Sequence, residues 1–183
     1  VNFNDDLSDL VSEGIEPGTG GPLITVFTNF ECPYCATFDS VLSELVLSGR
    51  YRVNYRHVSY PTQRTAYRKH VTAESARLLG IGGESMVHQL YILPKNNSWD
   101  ISDVVSVDID QDTKDQLNNC VDGNGHLAQT AVSNISADSM LASSLGVTGT
   151  PSWVLAGRLG AGSIPIDVFD DVYEKLSLES TGE

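Results

Sequence analysis

A chain of 183 residues with 40% hydrophobic and 19% charged side chains is long enough for one sizeable core and too short for two ordinary domains. That composition belongs to a folded protein and excludes a disordered tail. Acidic residues number 24 against 11 basic, a formal charge of −13, which repels phosphate backbones and makes nucleic acid and anionic membranes poor partners.

No apolar run approaches the roughly 18–20 residues that cross a bilayer, so no membrane-spanning helix is expected. Val1 opens no basic and apolar leader, which is the expectation for a mature or trimmed chain. Leu7, Leu10 and Val11 are spaced for a short helix, and Pro17 to Pro22 is a loop. Leu23 to Thr28 (LITVFT) is a short apolar, β-branched run and reads as a buried strand. Phe38, Val41, Leu42, Leu45 and Val46 then recur at helical spacing, with Gly49 placed to end the helix. Arg52 to Val58 alternates in part and reads as a second strand, parallel to the first because a helix connects them.

From Pro61 to Ser144 the pattern is helical or loop-like, with no strand signal. Helices are predicted over Ala66–Leu79, Glu84–Leu93, Lys114–Val121 and Ala137–Leu145, closed by Gly80, Pro94 or Gly146 where those breakers follow. Ser152–Ala156 is a strand, Gly157 turns into a short hairpin through Arg158–Leu159, and an amphipathic helix begins near Pro165 with Ile166, Phe169, Val172, Tyr173 and Leu176 on one face. The class is therefore α/β, ordered βαβ, a helical block, then ββα.

Two of the three cysteines lie in Cys32-Pro33-Tyr34-Cys35, between a buried strand and an amphipathic helix. Pro33 suits the first helical turn, where its missing N–H is no loss. The unpaired N–H groups of that turn and the positive end of the helix dipole favour an anionic sulfur at Cys32, and the thiolate is the reacting species. Cys35 lies one turn deeper on the same face, within reach for a disulfide. Closing so small a ring stabilises by only ~2 kcal/mol before strain, so the pair is a weak staple that opens and closes readily. Each pH unit by which the Cys32 pKa falls favours the dithiol by about 1.4 kcal/mol, roughly 30 mV, and makes the disulfide more oxidising. A zinc half-site is the other chemistry for this spacing, but Cys120, His57, His70, His88 and His126 are scattered along the chain with no paired spacing. A static disulfide is the third reading.

Phe27-Thr-Asn-Phe-Glu-Cys32-Pro-Tyr-Cys35, together with Leu145-Gly-Val-Thr-Gly-Thr150-Pro151-Ser-Trp153 and the helical block between, resembles the DsbA-like thiol:disulfide oxidoreductases. The likeness runs from about Leu23 to Leu176. It implies a thioredoxin fold interrupted by a helical insertion: an N-terminal segment over 1–22, the thioredoxin fold over 23–60 and 146–183, and the insertion over 61–145, as one structural unit.

The resemblance also implies that Cys32 is the attacking sulfur and Cys35 its buried partner. Thr150-Pro151 becomes a loop facing them, with a cis bond at Pro151, where an extended substrate segment pairs like an added strand alongside Pro33 and Tyr34. Thr150 should then keep its backbone groups free. Implied besides are a Cys32–Cys35 redox disulfide with no other cofactor and no metal, and donation of that disulfide to cysteine-containing folding proteins. A quinone-linked membrane partner would reoxidise the pair, in the periplasm or cell envelope where disulfides persist. A reductase or isomerase kept reduced on the same fold is the alternative, and a non-catalytic zinc or structural module the remaining one.

Two departures stand out. Thioredoxin-fold relatives commonly carry a buried acid six positions before the first cysteine, where this chain has Val26. Tyr34 also replaces the histidine of the strongest oxidases and supplies no cation beside the sulfur, so a milder oxidant is expected. Glu31, adjacent to Cys32, is a candidate modulator that would raise its pKa by charge. Cys120 is expected to be a small buried hydrophobe. His57 is expected to pack and not to donate protons, and Phe30 and Trp153 fit either a groove by the cysteines or the core.

Overall fold

The run Leu23–Thr28 forms β1, as its β-branched composition predicts. It belongs to a computed structural model that describes residues 21–81, 84–105 and 109–181; the short helix expected near Leu7 to Val11 lies outside the described residues. Pro33–Leu47 follows as helix α1 and Arg52–His57 as β2, parallel to β1, with Leu23 opposite Arg52 and Thr28 opposite His57. The chain then runs through α2 (Arg64–Leu78), α3 (Glu84–Ile92), a 3₁₀ turn (Ile101–Asp103), α4 (Gln111–Val121) and α5 (Gly125–Ser144). On its return, β3 (Ser152–Leu155) pairs antiparallel with β1, and β4 (Arg158–Ala161) antiparallel with β3. The sheet order is β2-β1-β3-β4, and helix α6 (Ile166–Thr181) follows.

Alternation along the strands decides what each face carries. Ile24 and Val26 of β1, Val53 and Tyr55 of β2 and Trp153 and Leu155 of β3 meet Phe38, Leu42 and Leu45 of α1, Leu90 of α3 and Phe169 of α6 in the main core. Phe38 and Phe169 stack there with ring centroids 5.8 Å apart. Phe27 and Val154 point the other way, onto Ala142 and Leu145 around the end of α5. Each large side chain fully buried in this manner contributes about 1.5–3 kcal/mol.

Helix α5 is twice as long as the sequence pattern predicts. Its buried stripe is Ala128, Ala131, Ile135, Asp138, Ser139 and Ala142, mostly small or polar side chains that leave little apolar periodicity to read. Small residues let the helix approach β2 closely, and the Asp138 carboxylate ties the two, pairing with Arg56 and accepting the His57 backbone N–H at 2.9 Å. Helix α4 starts earlier than predicted because Asp110 caps it, accepting the Thr113 N–H at 2.9 Å. Helix α2 is buried although polar: Lys69, His70, Thr72, Glu74 and Ser75 are each no more than 2% exposed.

The histidines, scattered in sequence, are partly assembled by the fold. His57 Nδ1 and His70 Nδ1 lie 2.8 Å apart, one donating to the other, and His57 Nε2 faces Glu74 Oε2 at 3.5 Å. Glu74 also binds Arg77 and accepts from Asn134. Burial, the neighbouring His57 and Lys69 all hold His70 well below the ordinary histidine value. Burial opposes ionisation of Glu74, but hydrogen bonds from Arg77 and His57 outweigh it and bring that carboxyl down to about 2. Among the described residues no group of three or more His, Cys, Asp or Glu side chains is placed to hold a metal ion.

Candidate active site

The cysteine pair sits where β1 hands over to α1. Asn29 makes the turn: its side-chain oxygen accepts the Glu31 N–H at 2.9 Å, and its carbonyl accepts the Cys32 N–H at 3.0 Å. Its amide donates to Val58 O at 2.8 Å, anchoring the turn to the chain beyond β2. Cys32 is then the N-cap of α1, in extended conformation, with Pro33 opening the helix. Cys35, one turn on, is 2% exposed, whereas Tyr34 between them is 70% exposed.

The start of β3 completes the site. Phe27 pairs with Ser152, so the preceding residues Thr150 and Pro151 fall beside the end of β1 and the cysteines. The Thr150–Pro151 peptide bond is cis. The Cys32 thiol donates to the Thr150 carbonyl at 3.3 Å, so that carbonyl is occupied and not free as the sequence suggests. The loop comes close enough to Cys32 for its thiol to find the acceptor. The Pro151 carbonyl accepts the Gly162 N–H at 2.8 Å, and a shallow groove beside it is lined by Tyr34, Gly149, Thr150, Pro151 and Gly162.

The two thiols are driven apart. Burial pushes Cys32 up, but hydrogen bonds from the Thr150 side chain, from Cys35 and from the backbone N–H of Tyr34 outweigh it and leave the thiol below its ordinary value. The Tyr34 N–H belongs to the first turn of α1, before any intrahelical acceptor is in place, and the Cys35 N–H also donates to the Cys32 carbonyl at 3.1 Å. Burial pushes Cys35 up to about 11 against hydrogen bonds from Thr150 and Thr28, and the nearby Cys32 charge adds to the rise. One sulfur is half-buried with its thiol lowered; the other is sequestered with its thiol raised.

Glu31 turns to the cations of the helical block: Lys69 Nζ lies 3.0 Å away and Lys95 Nζ 3.8 Å. Lys69 is fully buried on α2 and also donates to Leu93 O at 2.9 Å, so the carboxylate next to Cys32 answers a buried charge. Phe30 and Trp153 are core residues, and the indole N–H donates to Gly162 O at 3.1 Å. His88 reaches Asp39 at 2.9 Å, and His126 stands with Thr130 on the surface of α5. Cys120 is buried beside Ser75, and burial raises its thiol.

Thr28, Tyr91 and Lys69 are the residues around the pair that sequence reasoning misses. Thr28 shares its strand face with Val26, which is a readable signal; Tyr91 and Lys69 arrive on distant helices and leave none.

The family model described as thioredoxin matches residues 21–174. No curated protein matches the chain. Among solved structures, the chain is similar to the thiol-disulfide exchange protein α-DsbA2 from Wolbachia pipientis, with a TM-score of 0.71 at 16% identity over 93% of this chain and 91% of that one. It is similar to DsbA2 from Pseudomonas aeruginosa, TM-score 0.68 at 20% identity over 91% and 96% of the two chains. A periplasmic thioredoxin-like protein from Salmonella enterica serovar Typhimurium superposes with a TM-score of 0.63 at 19% identity over 92% and 94%. With its cysteine pair at the N-terminus of α1 and a family match spanning most of its length, the chain belongs to the thioredoxin family, and its fold is that of the DsbA-type thiol-disulfide exchange proteins.

Proposed function

We propose that this protein donates the Cys32–Cys35 disulfide to cysteine-containing folding proteins outside the cytoplasm. The observation that carries the reading is the opposed behaviour of the two thiols, Cys32 half-buried and lowered, Cys35 buried and raised to about 11. A substrate thiolate attacks Cys32 Sγ, the Cys32–Cys35 bond breaks, and its electron pair leaves on Cys35. A second substrate thiolate then attacks the substrate sulfur of the mixed disulfide and expels Cys32 as a thiolate. A sulfur with a lowered pKa is the better leaving group, so this release is the step that Thr150 and the helix terminus favour.

The substrate lies extended in the groove by Tyr34, Thr150 and Pro151, its backbone pairing with the Thr150 carbonyl, which the Cys32 thiol occupies only in the reduced protein. A quinone-linked membrane partner withdraws the two electrons. The compartment follows from the chemistry, since donated disulfides persist only where the surroundings are oxidising.

Oxidative refolding of a reduced, disulfide-containing substrate tests this. Wild type should accelerate regain of activity and Cys32→Ser should abolish the effect; an unaffected variant sinks the proposal. Equilibration with a glutathione buffer fixes the direction of electron flow. A potential well below that of glutathione would make the protein a reductase or isomerase instead.

A further inference from the structure

At the buried cysteine the fold supplies hydroxyls where negative charge has to form. Thr28 is fully buried at the end of β1, and its side chain is among the groups that pull the Cys35 thiol down against burial. Tyr91, carried in on α3, turns its hydroxyl onto Thr28 Oγ1. The Phe30 ring braces the Tyr91 ring with centroids 5.0 Å apart. Two residues before Thr28 on the same strand face stands the apolar Val26. The nearby carboxylate of Asp39 accepts from the Tyr55 hydroxyl at 3.0 Å and pairs with His88 at 2.9 Å.

We propose that Thr28 and Tyr91 form a two-hydroxyl chain that carries the charge on the Cys35 sulfur each time the disulfide opens, Thr28 as a catalytic residue and Tyr91 as a positioning residue acting through it. The inference rests on the reading of Cys32–Cys35 as the exchanging pair. When an incoming thiolate attacks Cys32 Sγ, a new S–S bond forms and the old one breaks. The incoming sulfur is oxidised, Cys35 is reduced, and the electron pair resides on Cys35 as a thiolate. An anion there, away from water, is costly unless it is hydrogen-bonded. Thr28 donates its O–H to the sulfur and Tyr91 donates to Thr28, so the two bonds polarise each other. Burial and the nearby sulfur charges push the Tyr91 hydroxyl well up, so it stays protonated and remains a donor. Neither hydroxyl gives up its proton; once the exchange is complete the Cys35 sulfur takes up from the solvent the proton that the attacking thiol released when it ionised.

The experiment opens the oxidised protein with reduced glutathione and follows the rate by acid quench and alkylation. Thr28→Val should slow opening about tenfold to a hundredfold and Tyr91→Phe about tenfold, the scale of one hydrogen bond to a charged group. The double variant should be no slower than Thr28→Val alone, because the two act in series. Thr28→Ser, which keeps the hydroxyl, should restore most of the rate. The pH profile of Cys32 alkylation by iodoacetamide should be unchanged in reduced Tyr91→Phe, whereas general loosening of the site would move it. Opening within about twofold of wild type in both single variants, an additive double variant, a failure of Thr28→Ser to rescue or a displaced Cys32 profile would overturn the inference and leave the exchange reading intact. A wild-type disulfide that glutathione cannot open would overturn both.

Discussion

Two cysteines three positions apart have the same side chain and opposite surroundings, and the difference is made by backbone and burial. Cys32 caps a helix and collects N–H and hydroxyl donors; Cys35 lies behind it, buried, and desolvation outweighs the donors it has. Glu31, which by sequence sits next to the sulfur, is drawn away by the buried Lys69 ammonium at 3.0 Å. Tyr34 is exposed between the cysteines, so the site has room for a cation there. Tyr34→His should lower the Cys32 pKa and make the disulfide more oxidising, by about 30 mV for each pH unit of lowering. Iodoacetamide titration and glutathione equilibration of the variant, measured together, check both shifts; unchanged values would show that the side chain at 34 does not act on the sulfur.

At the level of elements, β3 and α5 hold the site in place through close approaches. Gly160 of β4 lies over the Trp153 ring, and a Cβ there would meet the indole at 2.3 Å. The indole is in the core and tied to Gly162, so it has little freedom to retreat. Gly160→Val should therefore lower stability by about 1–3 kcal/mol, read from denaturant unfolding, through overpacking alone. Asp138 on α5 binds both the Arg56 guanidinium and the His57 N–H within the protein interior. Asp138→Ala leaves that guanidinium without its counter-charge, and an unfolding free energy lower by about 3–5 kcal/mol is expected. These two elements were unequally legible. The β3 strand shows its β-branched and aromatic run plainly, whereas the first half of α5 buries alanines and hides among polar neighbours.

Across the molecule, the polar interior of α2 sets how stability responds to acid. His70 is held well below its ordinary value of 6.5 and Glu74 is brought from 4.5 down to about 2. Both folded-state values are depressed, so both contributions are present above the unfolded pKa and disappear as pH falls through the folded one. Stability should begin to fall below about pH 6.5, as His70 must stay neutral in the fold, and fall further between about 4.5 and 2 as Glu74 protonates. The Glu74 part is on the order of 3 kcal/mol. Thermal unfolding across a pH series, with Glu74→Gln as reference, measures it: the variant should lose the lower step and keep the upper one.

Local order is legible from the residues alone. Hydrophobic period, proline and glycine positions and the Cys32-Pro-Tyr-Cys35 spacing specify strands, helices and a helix-capping cysteine, because each acts over a few residues of chain. The rest of the surroundings of those sulfurs is set by the tertiary fold. Tyr91 comes from α3 and Lys69 from α2, and their approach follows from how faces bury against one another, whereas Thr150, from the far end of the chain, is expected there from the family resemblance and not from spacing. A buried polar contact depends on three-dimensional proximity and desolvation, which no spacing along the chain encodes.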